Sequence, residues 1–285
     1  MKRAALICLM LATAWLLRAD STISSTNCYA YSGNTGWLNL HADGTHGAVV
    51  GRWYSTGSIW SPSIGWLTLG SGTPANGWSY ANDSATDWGI NHDGAGALTG
   101  FAYGANVGWI NFEQQYGKPQ IDLATGRLSG AVWGANIGWI TLSNEMVVVS
   151  TERLANGPDL DRDGLPDIWE YKVAGDLGTL DGNHDTDGDG LSDGKEFLVG
   201  TDPLDPDSFF GIVEFQHRPG TDLLRFTTVP DRVYSVYTHD NVPPRAPELS
   251  VQRLQPGTDP IQQVILDNSD ASQRFYQIKV SLPLP

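Results

Sequence analysis

Between residues 20 and 150 apolar and polar positions alternate with a period of two, and Gly and Asn interrupt the alternation at intervals. That pattern suits half-buried strands and excludes helix. Four stretches share one arrangement. Tyr31 to Leu40, Trp60 to Leu69, Tyr103 to Phe112 and Trp133 to Leu142 each read aromatic, five loop residues, Trp, aliphatic, Asn or Thr, aliphatic. Each predicts a β-hairpin whose aromatic before the loop faces the Trp after it across the strands. The Trp-to-Trp intervals are 29, 43 and 30 residues. The second unit therefore carries an insertion, around Gly70 to Gly96, holding Trp78 and Trp88.

Alternation also sorts the side chains onto two faces. One gathers Leu38, Leu40, Leu67, Leu69, Ile110, Phe112, Ile140 and Leu142 with Ala30, Ile59, Ala102 and Val132, an aliphatic core. The other carries Tyr31, Trp37, Trp60, Trp66, Tyr103, Trp109, Trp133 and Trp139 beside Asn39, Thr68, Asn111 and Thr141. Such rings can form a second packed layer in a repeat with a small core, the preferred reading. The alternative is a platform on which pyranose faces stack while amides and hydroxyls hold the sugar hydroxyls. A polysaccharide or cell-surface polymer is then the candidate partner.

Residues 209–285 alternate in shorter runs separated by turn residues. Strands are predicted at Phe210 to Phe215, Leu223 to Val229, Val233 to Thr238, Leu249 to Leu254, Gln262 to Leu266 and Arg274 to Val280, enough for a small β-sandwich. The chain is thus expected to be mainly β.

Between these regions the composition changes. From Asp159 to Asp207, thirteen Asp and two Glu stand against Arg162, Lys172 and Lys195, a net −12 in a chain of formal charge −15. Two stretches, Asp159 to Glu170 (DLDRDGLPDIWE) and Asp185 to Glu196 (DTDGDGLSDGKE), place acid at positions 1, 3, 5, 9 and 12 and Gly at position 6. That is the spacing of an EF-hand calcium loop, in which alternate carboxylates converge on a hard cation and a Glu closes the far side. Carboxylates about 4 Å apart repel by roughly 1 kcal/mol per pair even in water, and more when desolvated, so converging acids call for a cation. The loops are entered through Asn156-Gly157-Pro158 and Asp181-Gly182-Asn183, which cannot be helical; short helices are predicted after them, about Asp167 to Ala174 and Ser192 to Val199.

This loop-then-helix pair, with the trailing Gly200 to Ser208, resembles the thrombospondin type 3-like and dockerin-like calcium repeats of secreted bacterial proteins. The Trp-containing units likewise resemble Gly-Trp-Ile repeats of other exported proteins. The first resemblance implies two Ca2+ sites. One would use Asp159, Asp161, Asp163, the Leu165 carbonyl, Asp167 and Glu170. The other would use Asp185, Asp187, Asp189, the Leu191 carbonyl, Asp193 and Glu196. Position 12 is Glu where dockerins commonly have Asp, and the cohesin-recognition pattern and the thrombospondin cysteines are absent. Only the calcium chemistry carries over.

Lys2 and Arg3 precede an apolar stretch from Ala4 to Leu17, and Leu17-Arg18-Ala19 precedes an expected cut, so residues 1–19 read as a signal peptide. No later stretch approaches a membrane span. The expected mature chain is secreted or held at the cell surface, with Cys28 as its lone cysteine, either a free thiol or an intermolecular link. Composition divides it into a Trp/Gly-rich β-repeat domain (20–150), paired calcium loops (151–208) and a β-sandwich-like domain (209–285). Nucleic acid is excluded by the lack of a basic stripe. No Gly-x-Ser-x-Gly or HExxH is present, and nothing singles out Asp87, Asp93, Glu113 or Asp122 as acid–base carboxylates. His41 and His46, in HADGTH, read as a turn rather than a metal pair. The expected function is a non-catalytic structural or surface-interaction protein whose calcium stiffens the joint between two β domains. A carbohydrate-binding module and a secreted hydrolase are the alternatives.

Overall fold

The computed structural model describes residues 20–239, 252–254, 260–268 and 274–284. The expected signal peptide lies outside them, as does the start of the strand expected at Leu249 to Leu254. The repeat region contributes β1 (Ile23–Ser32), β2 (Gly36–Asn39), β3 (Val49–Val50), β4 (Tyr54–Thr56), β5 (Ser58–Ser61), β6 (Gly65–Thr68), β7 (Ile90–His92), β8 (Leu98–Gly104), β9 (Gly108–Asn111), β10 (Gln120–Ile121), β11 (Arg127–Gly134), β12 (Gly138–Ser143) and β13 (Val149–Thr151). The four predicted hairpins are β1–β2, β5–β6, β8–β9 and β11–β12, with Tyr31 opposite Trp37, Trp60 opposite Trp66, Tyr103 opposite Trp109 and Trp133 opposite Trp139.

Joined edge to edge, the hairpins close into an eight-stranded antiparallel barrel. The join is the same each time. The polar residue two places after the Trp faces the first aromatic of the next unit: Asn39 with Trp60, Thr68 with Tyr103, Asn111 with Trp133 and Thr141 with Tyr31. Each hairpin is therefore staggered by two residues from its neighbour, which gives the strand tilt a closed barrel requires. The predicted aliphatic face fills the interior, with Leu38, Leu67 and Ile110 each 1% exposed. The space left is about 30 Å³, so the interior is a packed core rather than a channel.

At the hairpin end Ile64, Val107 and Ile137 fold inward as a plug. Above them the loop asparagines form a chain between units: Asn34 Nδ2 donates to the Ile137 carbonyl (3.0 Å), Asn136 to Val107 (2.9 Å) and Asn106 to Ile64 (3.0 Å). The second unit has Ser63 at this position. The bond that would reach the Thr35 carbonyl is accordingly missing from the hydrogen bonds of the described residues, and the Thr35 hydroxyl is buried without a partner. The repeat also turns on glycines three residues before an aromatic. Gly57, Gly100 and Gly130 have φ of +82°, +95° and +82°, and a Cβ there would fall 2.1 to 2.3 Å from a backbone carbonyl. These kinks let β8 and β11 leave the barrel and pair with β7, β10 and β13.

Cys28 is a free thiol, 3% exposed in the barrel core, which burial pushes up from its ordinary pKa. That corrects the intermolecular-link reading, because a buried thiol presents nothing to a partner chain.

The acidic segment supplies α1 (Asp167–Val173) and α2 (Asp193–Val199). After it come β14 (Ile212–Arg218), β15 (Thr221–Thr227), β16 (Val233–His239), β17 (Gln252–Leu254), β18 (Ile261–Asp267) and β19 (Phe275–Ser281). They form two three-stranded sheets, β14-β15-β18 and β17-β16-β19. Leu224, Phe226 and Val264 of one sheet meet Tyr234 and Val236 of the other, the expected small sandwich. A further cluster of Leu165, Leu180 and Phe197 collects Trp53 from the barrel region and Leu282 from the C-terminal region, tying the three parts together.

Candidate metal centre

Each acidic loop is held by its own carboxylates. Asp159 accepts from the amides of Arg162 (2.7 Å) and Gly164 (3.3 Å), and Asp185 accepts from Gly188 (2.8 Å) and Gly190 (3.0 Å). Position 6 is left-handed in both loops, Gly164 at φ +97° and Gly190 at φ +103°, as the predicted sharp turn requires. Position 9 locks the start of the loop to its helix: Asp167 accepts from Leu160 N (2.7 Å), and Asp193 accepts from Thr186 N and Oγ1 and from Asp181 N. Asp163 also accepts from Gly182 N at 3.1 Å, joining the first loop to the entry of the second.

Within this frame oxygen donors converge. Asp159, Asp161 and Asp167 form one group, Asp161, Asp163 and Glu170 an overlapping one, and Asp185, Asp187 and Asp189 a third, the donor atoms of each lying within 4.8 Å of one another. Glu170 and Glu196 are both 0% exposed. Neither carboxylate oxygen of Glu170 has a hydrogen-bond partner, nor does Oε2 of Glu196 or Oδ2 of Asp187. Burying a carboxylate without partners is costly, and the group responds by holding its proton. Burial first, then Asp163, Asp161, Asp167 and Asp159, push Glu170 up to about 7. Glu196 is pushed up to about 7 by burial, opposed by the Thr201 hydroxyl, with Asp187, Asp189 and Asp193 raising it further. Orphaned buried carboxylate oxygens, hard donors that a cation would let ionise, fit calcium. Asp193 and Glu196, both expected as ligands, stand outside these groups, and Asp193 is spent on amides and a hydroxyl. The Leu165 side chain is fully buried in the joint core, and its amide, like that of Leu191, bonds to the preceding Asp.

The aromatic face overturns the preferred packing reading. All eight rings are exposed, from 37% at Trp133 to 50% at Trp37, because they point outward from a barrel whose only packed layer is inside. They pair edge-to-face or tilted at 4.9 to 5.1 Å. The pairs are not equally open. Trp88 of the insertion packs on Trp109 at 5.0 Å, whereas Trp37 is bordered by Tyr29 and faces an open groove reaching Met146 and Val148. Asn39 and Asn111 are engaged by the amides of the turns that follow them.

The remaining candidates other than Glu113 are spent locally. Asp87 accepts from Ala75 and Ala81 amides, Asp93 from Ala95 and Ala97, and Asp122 from Ala124 and Thr125. His46 pairs with Asp43 at 2.5 Å and His41 with the Ile23 carbonyl at 2.9 Å, in keeping with a turn.

Residues 185–206 match the family model described as the bacterial TSP3 repeat, which covers the second loop and its helix. Such repeats are of the calcium-binding type and suggest a structural role. No curated protein and no solved structure matches the chain. No described helix is long and apolar enough to cross a membrane.

Proposed function

We propose that this is an exported, non-catalytic structural or surface-interaction protein, in which two calcium ions stiffen the joint between barrel and sandwich. The observation that carries the reading is the pair of fully buried glutamates, one per loop, each with an unpartnered oxygen, Glu170 converging with Asp161 and Asp163 and Glu196 raised by burial and by Asp187, Asp189 and Asp193. Extracellular calcium fills such loops continuously, so occupancy supports shape rather than signalling. Because Leu165 and Phe197 reach from the loops into the cluster shared with Trp53 and Leu282, losing the ion loosens the joint. Calorimetric titration of the full chain with calcium, together with limited proteolysis, tests this. Heat of binding and protection of residues 151–208 are expected, and their absence at millimolar calcium sinks the proposal.

A second reading, a carbohydrate platform, is favoured by the exposure of the eight rings. Trp37 is its most open member. Binding on a glycan array that disappears in Trp37→Ala without a change in melting temperature would support it, and an array without any binding would end it.

A further inference from the structure

A cleft of about 710 Å³ opens where the repeat region, the calcium helices and the C-terminal region meet. Its volume is that of a small-molecule site. Three tryptophans from separate parts of the chain line it: Trp53, Trp78 of the insertion, and Trp169 of α1. All three are partly exposed, and their indole N–H groups make no hydrogen bond among the described residues.

The charges in the cleft do not balance. Asp231 is committed to Arg232 at 2.6 Å and Asp93 to the amides of Ala95 and Ala97. Arg52, only 6% exposed, bonds to Asn156 Oδ1 and the Pro283 carbonyl, and neither it nor Lys172 has a carboxylate partner among the described residues. Burial, then the Arg232 charge, pull the Arg52 guanidinium down to about 10, with Asp231 opposing. His92, 6% exposed, stands on the same wall against the Gly51 and Arg52 backbone. A desolvated cation without a carboxylate partner beside aromatic rings, in a chain of net charge −15, marks a place made for an anion with an apolar face.

We propose that this cleft binds a carboxylate-bearing saccharide, its pyranose ring stacked on Trp78 and Trp169 and its carboxylate on Arg52 and Lys172. The cleft is also wired to the loops. Thr201, on its wall, donates to Glu196 Oε1 at 2.9 Å, and Trp169 and Phe197, adjoining Glu170 and Glu196, pack edge-to-face at 5.2 Å. Calcium therefore shapes the wall that the saccharide meets, a coupling that rests on the function proposed above.

The test is calorimetric titration of the full chain, in excess calcium, with a glucuronosyl disaccharide and its neutral glucosyl counterpart. The acidic sugar is expected to bind. Trp78→Ala should weaken it about tenfold with unchanged melting, and Lys172→Gln should reduce the preference for the acidic over the neutral sugar by a similar factor. The proposal is overturned if neither sugar binds at about 10 mM, if both bind alike, or if Trp78→Ala binds as well as the parent. Calcium titration of the same sample separates the two claims. No heat with calcium condemns the loops, whereas calcium binding with equal sugar affinity in EDTA condemns only the coupling.

Discussion

Removing calcium should make this protein more sensitive to alkali, and the two buried glutamates set the size of the effect. Each is raised from an ordinary 4.5 to about 7 when no cation faces it. A raised acid binds its proton more tightly in the folded chain than in the unfolded one. In the cation-free fold the stability these two glutamates contribute is therefore fully present below about pH 4.5, falls as pH climbs and is lost above about 7. A shift of that size is worth about 3 kcal/mol per glutamate, or on the order of 10 °C in melting temperature for a chain of this size. Bound calcium removes the penalty by meeting the charge. Thermal melting in EDTA at pH 5 and pH 8, and again in millimolar calcium, should show a large drop with pH in EDTA and little in calcium. Glu170→Gln keeps the shape and deletes the charge, so its effects should have opposite signs: higher melting than the parent in EDTA at pH 8, lower in calcium. Melting in EDTA that is flat between pH 5 and 8, or a Gln variant that melts below the parent under those conditions, would refute the reasoning.

Three further outcomes are expected. Ser63→Asn should reach the Thr35 carbonyl, complete the chain of loop asparagines and add about 1 kcal/mol by chemical denaturation, since the space beside Gly36 is open where a Cβ on the other turn glycines would lie 3.1 to 3.6 Å from an Asn amide. Gly100→Ala, at φ +95° with the Gly89 carbonyl 2.1 Å from the new Cβ, should cost at least about 2 kcal/mol, visible as a lower urea midpoint. Arg162 sits at φ +66° where the second loop has Gly188 at +81°, so Arg162→Gly should relieve about 1 kcal/mol of strain and tighten calcium binding by calorimetry, a cation having left the site.

Local pattern revealed the elements. The hairpin registers, the inward aliphatic face and the two loops follow from periods and spacings contained within a dozen residues. The helices lie within one residue of expectation at each end, and the sandwich strands, so far as they are described, within three. Closure did not show, because the pairing of β12 with β1 joins residues more than a hundred apart and leaves no local mark. The fate of the rings was also hidden. Alternation assigns them to a face, but what covers that face is a tertiary fact, and among the described residues only Trp88 and a few neighbours do so. Arg52 and Arg232 carried no motif. Their importance comes from backbone carbonyls of distant segments, Pro283 for one and Phe197 and Leu198 for the other.

The closed ring of hairpins fixes how many units the protein can have. An open stack of repeats grows by adding a copy at an end and needs caps to finish it. This barrel has no end at which to add. A fifth hairpin would have to enter the circle, widening the bore and pulling apart Leu38, Leu67, Ile110 and Ile140, which now nearly fill it. Length variation is therefore pushed out of the repeats and into the links between them, and the insertion carrying Trp78 and Trp88 occupies one of those links.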